Sequence, residues 1–527
     1  MKNILIFFLV VGAASLISCN NELKTDNGKK IEKISISNTY KKPQFINDHR
    51  LKKIKAIIPE LQQIFDEHAT NERIPGIAYG IVIDDSLVLG STTGVSQIEN
   101  KIPVSTNTSF RIASMTKSFT AMAIIKLRDE GRLSLSDPVI NYIPEMENLE
   151  YLTEDSPIIN IENLLTMTAG FPEDNPWGDR QLALSTKAFL EVVSKGLSLS
   201  KVSSYQYEYS NTGYALLGHI VTRVSGTPYQ EYIKENILDP LGMKNTYWEY
   251  ANVPKEQLAS GYRWEDGKWK KEPLLHDGAY GAMGGLLTSI EDFSKYVSFH
   301  LAAWPARSEE EKGPIKRSSL REMHTPKYNF LNSWDRDWNN EPCASMIGYG
   351  YGLGISIDCK RIVRVSHGGA LPGFGSNYAF FPEYGIGIMA FGNLTYKTPI
   401  PYDKLEKILF ERLDLQSRKL PASDILEQKK EEIINLISNG KVSLDKNIFA
   451  ENFFMDISKE RRIKEFQKIL DKAGAIKNIQ NIVPRNQLRG DFTIQCVNGN
   501  IKVFFTLTPE KAAMIQKLDI SFKLNED

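Results

Sequence analysis

The chain has 527 residues and 42% hydrophobic content, more than one compact core usually serves, so two folded units plus a tail are expected. Lys and Arg together number 64 and so do Asp and Glu, giving a formal net charge of zero. No whole-chain field draws it to nucleic acid or acidic polymers, and without an HExxH run, a paired CxxC or a helical His pair no metal site or cofactor is expected.

Residues 1–18 read as an export signal: Lys2 is followed by an apolar stretch over 4–16 that is shorter than a spanning helix requires. Leu16-Ile17-Ser18-Cys19 resembles a bacterial lipobox, which implies a lipidated Cys19 holding an exported protein at a membrane. A plain secretory signal cut near Ala13-Ala14-Ser15 and an uncleaved anchor are the alternatives. Residues 19–48 then form the lipidated cysteine and a polar, Lys-, Asn- and Ser-rich tether.

Apolar residues at Leu51, Ile54, Ile57, Ile58, Leu61, Ile64 and Phe65 predict a helix over 51–68. Runs at 77–83 and 87–89, split by Asp84-Asp85-Ser86, predict a hairpin. Strand-like runs return at 353–357, 361–366, 377–381 and 385–391, followed by an amphipathic helix over 403–413. Strands at both ends of a mostly helical middle predict an α+β unit over 49–416, in which one antiparallel sheet is flanked by helices beside a helical lobe, with a cleft for a small molecule. Residues 420–527 change texture: helices at 425–438 and 458–473 and strands at 492–496, 501–507 and 515–522 predict a small α+β accessory domain, similar in element order to nuclear-transport-factor-like domains. Beyond Cys19, three cysteines remain, and Cys343, Cys359 and Cys496 are expected as buried free thiols, with a Cys343 to Cys359 bridge as the alternative.

Three clusters carry chemistry. In Ala113-Ser114-Met115-Thr116-Lys117, at the start of a helix expected to run to about Glu130, residues three apart share a face. The Lys117 amine therefore reaches the Ser114 hydroxyl and, kept neutral by burial, takes its proton. In Tyr209-Ser210-Asn211, a phenol near an ammonium serves as acid or base, and an amide bonds both the lysine and a substrate carbonyl. In His367-Gly368-Gly369-Ala370, glycines let a ligand approach a strand closely, so that the Ala370 N–H pairs with the Ser114 N–H as an oxyanion hole, while His367 stands at the cleft edge. Each pattern also occurs elsewhere by accident, as at Tyr250-Ala251-Asn252 and His276-Asp277-Gly278.

In this order, and with Ile74-Pro75-Gly76, Tyr214-Ala215-Leu216-Leu217-Gly218 and Asp239-Pro240-Leu241-Gly242-Met243 around them, the clusters resemble the serine β-lactamase and penicillin-binding-protein family. The likeness is to its class C β-lactamase, DD-peptidase, esterase and D-aminopeptidase branches, and spans residues 74–413. By that resemblance Ser114 is an acylated nucleophile, Lys117 and Tyr209 transfer protons, Asn211 completes the Tyr-x-Asn motif, and His367 and Gly369 fill the outer places of a Lys-Thr-Gly strand. The implied activity is cleavage of an ester, a D-amino-acid peptide or a β-lactam; the alternative is an inactive relative binding peptidoglycan fragments or a protein partner at the membrane. With histidine in place of lysine, charged only part of the time near neutrality, and Gly368 in place of a hydroxyl, an anionic substrate is expected to fare worse than a neutral one.

Overall fold

A computed structural model describes residues 34–437, 442–444 and 446–524. The signal segment, Cys19 and most of the tether lie outside the described residues. The described residues divide into two compact units, Lys42–Lys419 and a second that runs from Leu420 onward and includes residues 34–41.

The first unit is organised by a nine-stranded antiparallel sheet among its described residues. Its strands are β1 (Gly76–Ile83), β2 (Ser86–Gln97), β3 (Ile102–Pro103), β4 (Tyr328–Asn332), β5 (Ser345–Tyr349), β6 (Gly354–Ile357), β7 (Val363–Leu371), β8 (Phe374–Phe381) and β9 (Ile386–Gly392). Their order is β3-β2-β1-β9-β8-β7-β6-β5-β4, so the two ends of the unit meet where β1 pairs with β9. Every residue of β1 is buried, because the period-2 alternation feeds two cores. Ile77, Tyr79, Ile81 and Ile83 face one cluster, where helix α1 (Ile58–Glu72) contributes Leu61, Phe65 and Ala69 and stacks Phe65 on Tyr79 at 3.7 Å. Ala78 and Val82 face the other cluster, which holds the helical lobe.

That lobe is built around α2 (Thr116–Asp129) and α3 (Asn211–Ser225). Residues 116–125 are all buried, so α2 is enclosed rather than amphipathic. A further helix, α4 (Ile290–Leu301), lies on the same face of the sheet. It comes so close that a Cβ at Gly387 would stand 2.3 Å from Val297 Cγ1.

Three expectations are corrected. The single helix over 51–68 is two, Arg50–Lys55 and α1, because Pro59 cannot continue a helix from the preceding turn and instead opens the next one. Cys343 and Cys359 are a disulfide and not free thiols. Cys343 precedes β5 and Cys359 follows β6, and the antiparallel register that pairs Met346 with Ile357 brings their Cα atoms to 5.2 Å. Cys496 is free and buried. Lastly, β4 and β5 extend the sheet where no strand is expected: β4 is an exposed edge strand whose mixed composition carries no alternating pattern.

The second unit has helices α5 (Asp424–Ile437) and α6 (Lys459–Ala473) and the strands β10 (Ile476–Ile479), β11 (Val483–Asn486), β12 (Arg489–Cys496), β13 (Gly499–Leu507) and β14 (Ile515–Leu524). The last three pair in sequence, and alternate inward residues such as Phe492, Ile494, Ile501, Val503 and Phe505 build its core with Leu426, Ile433 and Phe466 from the helices.

Gly369 lies against the turn that opens α2. A Cβ there would stand 2.1 Å from Ile112 O and 2.3 Å from Ser376 Oγ, so Gly369→Ala forces β7 and that turn apart. The expected cost is about 1–3 kcal/mol, read as a lower denaturation midpoint in urea, and an unchanged midpoint would show that the turn yields freely.

Candidate active site

Ser114 stands in a 3₁₀ turn, Ala113–Met115, that leads into α2. The turn is held on both sides: Ile112 N donates to Leu286 O at 3.0 Å, and Ser376 Oγ of β8 donates to Ile112 O at 2.7 Å. Ala113 has φ of 50°, a left-handed conformation that a non-glycine residue adopts only when its surroundings enforce it. Thus the serine is presented by a constrained turn, while Lys117, one helical step on, points from the first turn of α2 to the same place.

Lys117 is fully buried, and its Nζ lies 2.9 Å from Ser114 Oγ, 2.7 Å from Asn211 Oδ1 and 3.0 Å from Met283 O. The last two atoms only accept hydrogen bonds, so they take two N–H bonds. In a neutral amine the remaining lone pair then faces the serine hydroxyl. Burial draws the Lys117 ammonium down to about 7, against the upward pull of Asp179 and Asp174, so a large neutral fraction exists at neutral pH. The Tyr209 ring centroid is 4.8 Å from the amine. Burial holds the Tyr209 phenol well above its ordinary value, with a hydrogen bond to Ser114 pulling the other way, so Tyr209 carries its proton at neutral pH.

Asn211 begins α3, and the start of that helix is held by residues to which no motif pointed. Asp174 accepts from Asn211 N at 2.6 Å, Thr212 N at 2.9 Å and Thr212 Oγ1 at 2.6 Å, which supplies negative charge to helix-terminal N–H groups. Asn175 Oδ1 accepts from Asn211 Nδ2 at 3.0 Å, which directs the Asn211 oxygen toward the lysine. Gly178 packs on the same side chain.

His367 on β7 departs from expectation. It is buried and not the partly charged group expected at the cleft, because burial lowers it to about 4. Gly368 O can only accept, so the 2.5 Å contact makes His367 Nδ1 the protonated nitrogen, and Nε2 accepts from the Tyr349 hydroxyl at 3.1 Å. The ring is neutral across the physiological range. Gly369 and Ala370 follow on the same strand.

Two cavities meet at this point. One of about 330 Å³ is lined by Ser114, Asn175, Asp179, Ala370, Asn377 and Tyr396. The other, about 320 Å³, is aromatic, with Tyr207, Tyr328, Phe330 and Tyr349 on its walls. Tyr209, His367 and Gly368 border both. The structure therefore gathers Ser114, Lys117, Tyr209, Asn211, His367, Gly369 and Ala370 in one place. Cys19 lies outside the described residues. Among those residues no cluster of three His, Cys, Asp or Glu side chains suits a metal.

The family model described as Beta-lactamase matches residues 61–410. Beta-lactamase-like protein 2 of Dictyostelium discoideum is 30% identical over 387 residues, covering 70% of this chain and 66% of that protein. Protein flp of Staphylococcus aureus (strain MW2) is 29% identical over 382 residues, covering 71% of this chain and 70% of that protein. The chain thus spans about two thirds of the length of these curated relatives. Among solved structures, the octameric penicillin-binding protein homologue from Pyrococcus abyssi aligns with a TM-score of 0.56 at 23% identity, covering 88% of this chain and 98% of the other. A class C beta-lactamase aligns at 0.53 and 20% identity, covering 71% and 99%. At these identities the structural likeness is one of fold.

Because Asp174 holds the first turn of α3, Asp174→Ala should lower stability by about 1–2 kcal/mol and loosen Asn211. Denaturant unfolding measures the first effect; a variant as stable as the parent would show that Ser210, which also caps Gly213 N, suffices alone.

Proposed function

The chain belongs to the beta-lactamase family of serine hydrolases, and we propose that it cleaves small esters or amides through an acyl-enzyme on Ser114. The observation that carries this reading is the Lys117 amine, whose two fixed acceptors leave its lone pair to the serine hydroxyl.

In the acylation step Ser114 Oγ bonds to the substrate carbonyl carbon while its proton passes to Lys117 Nζ. The carbonyl π pair moves onto oxygen, and the resulting oxyanion faces the backbone N–H groups of Ser114 and Ala370. When that pair re-forms the carbonyl, the bond to the leaving oxygen or nitrogen breaks. The leaving atom takes a proton from Tyr209, which the Lys117 ammonium replaces. Deacylation runs the same transfers in reverse with water as nucleophile, releasing the acid and restoring Ser114. Because its proton affinity is high, Tyr209 holds its proton at neutral pH and can give it only to a strongly basic leaving atom, which leaves the role of base to Lys117.

Neutral acyl substrates suit this site better than anionic ones. His367 is neutral, Gly368 offers no hydroxyl, and Lys397, a lysine that lines the cavity, is paired with Glu72 at 2.6 Å. A short p-nitrophenyl ester should therefore exceed a chromogenic cephalosporin in kcat/KM at pH 8, and the reverse ranking would overturn this preference.

Ser114→Ala should lower ester turnover roughly a thousandfold or more and abolish the mass increase left by a serine-reactive fluorophosphonate. Wild-type protein that is neither labelled nor active would point to a binding module instead. Since only the neutral amine accepts the serine proton, kcat/KM should fall about tenfold per pH unit below a midpoint near 7 and level off above it. A flat profile from about pH 5 to 9 would remove Lys117 as the base.

We further propose that the mature protein is exported and held at a membrane by lipidated Cys19, on the strength of the Lys2 and apolar segment before it. Cys19→Ala should then move the protein out of the membrane fraction or block its processing, and unchanged fractionation would contradict the anchor.

A further inference from the structure

The cavity beside Ser114 contains a carboxylate that the acyl-transfer steps do not use. Asp179 is only 3% exposed and forms part of the cavity wall with Ser114, Asn175 and Tyr396. The Tyr396 hydroxyl donates to its Oδ2 at 3.1 Å. Among the described residues no lysine or arginine forms an ion pair with it. The charged groups that act on it are Lys117, Asp174 and the adjacent Arg180. Lys397 borders the same space, but its ammonium is taken by Glu72.

We propose that Asp179 is a specificity determinant that holds a cationic amine on the acyl half of the substrate, so that the preferred acyl donors are aminoacyl esters or amides with a free ammonium. This rests on the acyl-enzyme reading above and names its substrate class.

The physical case has three parts. A buried carboxylate without a cationic partner is costly, and a ligand ammonium supplies both the missing charge and a strong hydrogen bond. Burial pushes Asp179 up to about 6, so it is ionised at neutral pH and still poorly solvated, which is the condition in which a cation binds best. Position assigns the amine to the acyl half. Ser114, which keeps the acyl group, borders the cavity of Asp179 and not the aromatic cavity. Asn211, which would take the acyl amide, is bonded to Asn175 on the Asp179 side. The departing group is then left to the aromatic side, between Tyr209 and Tyr349.

The test compares alanine p-nitroanilide with N-acetylalanine p-nitroanilide, in D and L forms, with p-nitrophenyl acetate as a neutral reference. At pH 7.5 the free amine should lead its acetylated partner in kcat/KM by about ten- to a hundredfold in at least one hand, since acetylation removes a hydrogen bond between charged groups. In Asp179→Asn that ratio should collapse toward one, and in Tyr396→Phe, which keeps the carboxylate, it should persist. An acetylated substrate that matches or beats the free amine in the wild-type protein would overturn the proposal, as would a ratio that survives in Asp179→Asn. Should Asp179→Asn fail to fold, the wild-type ratio decides. Failure of the acyl-enzyme reading looks different: the wild-type protein would then turn over none of these compounds, acetate ester included. In that event calorimetric binding of alanine amide and N-acetylalanine amide to wild-type protein still tests the subsite, and equal or absent binding of the amine would overturn it.

Discussion

The site depends on taking one amine out of water. Lys117 sits in the first turn of a helix whose residues 116–125 are all buried, and it is the loss of hydration there, stronger than the pull of two nearby carboxylates, that leaves the lysine partly neutral at neutral pH. Burial alone would leave N–H donors without partners, at a cost of a few kcal/mol. Met283 O and Asn211 Oδ1 remove that cost, and because they are acceptors only, they also set the direction of the remaining lone pair. The rest of the lobe serves these two atoms. Asp174 and Asn175 hold the start of α3 and orient Asn211, while Thr120 Oγ1, donating to Ala282 O at 2.7 Å, ties the 281–284 segment to α2 beside Met283.

The sheet sets the opposite wall. Pairing of β7 with β8 places Gly369 against Ile112 and puts Ser376 Oγ in reach of Ile112 O, so the strand that borders the cavity also clamps the turn carrying Ser114. The same strand carries His367, whose ring is enclosed by Tyr349 and the Gly368 carbonyl. A lysine at that place would bring a second positive charge toward Lys117. A neutral imidazole does not, which leaves the proton affinity of Lys117 to burial and the two aspartates.

Local pattern made some of this legible and not the rest. Ser114 and Lys117 are joined by helical spacing, and Tyr209 and Asn211 by a short motif at a helix start, so four side chains could be placed from sequence. The β1 and β2 hairpin and the strands from β6 to β9 show as short β-rich runs broken by glycine, proline or charged turns, because strands buried on one or both faces need such residues. Asp174, Asn175 and Asp179 show no signal, since a short irregular segment reaches the cleft only through tertiary packing. The burial of His367 was hidden for the same reason: the Tyr349 that covers it comes from β5, a strand without recognisable alternation. The disulfide needed the β5 and β6 register, which spacing alone does not contain.

Base strength and substrate recognition are electrostatically linked in this arrangement. Asp179 raises the proton affinity of Lys117, and Lys117 in turn lowers that of Asp179. An ammonium seated against Asp179 offsets the negative charge felt by Lys117, so the lysine gives up its proton more readily when such a ligand is present than when the cavity is open. By reciprocity, a neutral Lys117 leaves Asp179 with less compensation and a stronger pull on the ligand cation. The state in which Lys117 acts as a base is thus also the state in which an amine-bearing acyl group is held most firmly, whereas an acyl group without a charge gains neither effect. Under the proposed reading, a buried lysine and a buried aspartate that feel each other's charge can in this way favour the substrate in the protonation state that the reaction requires, with no movement of the chain.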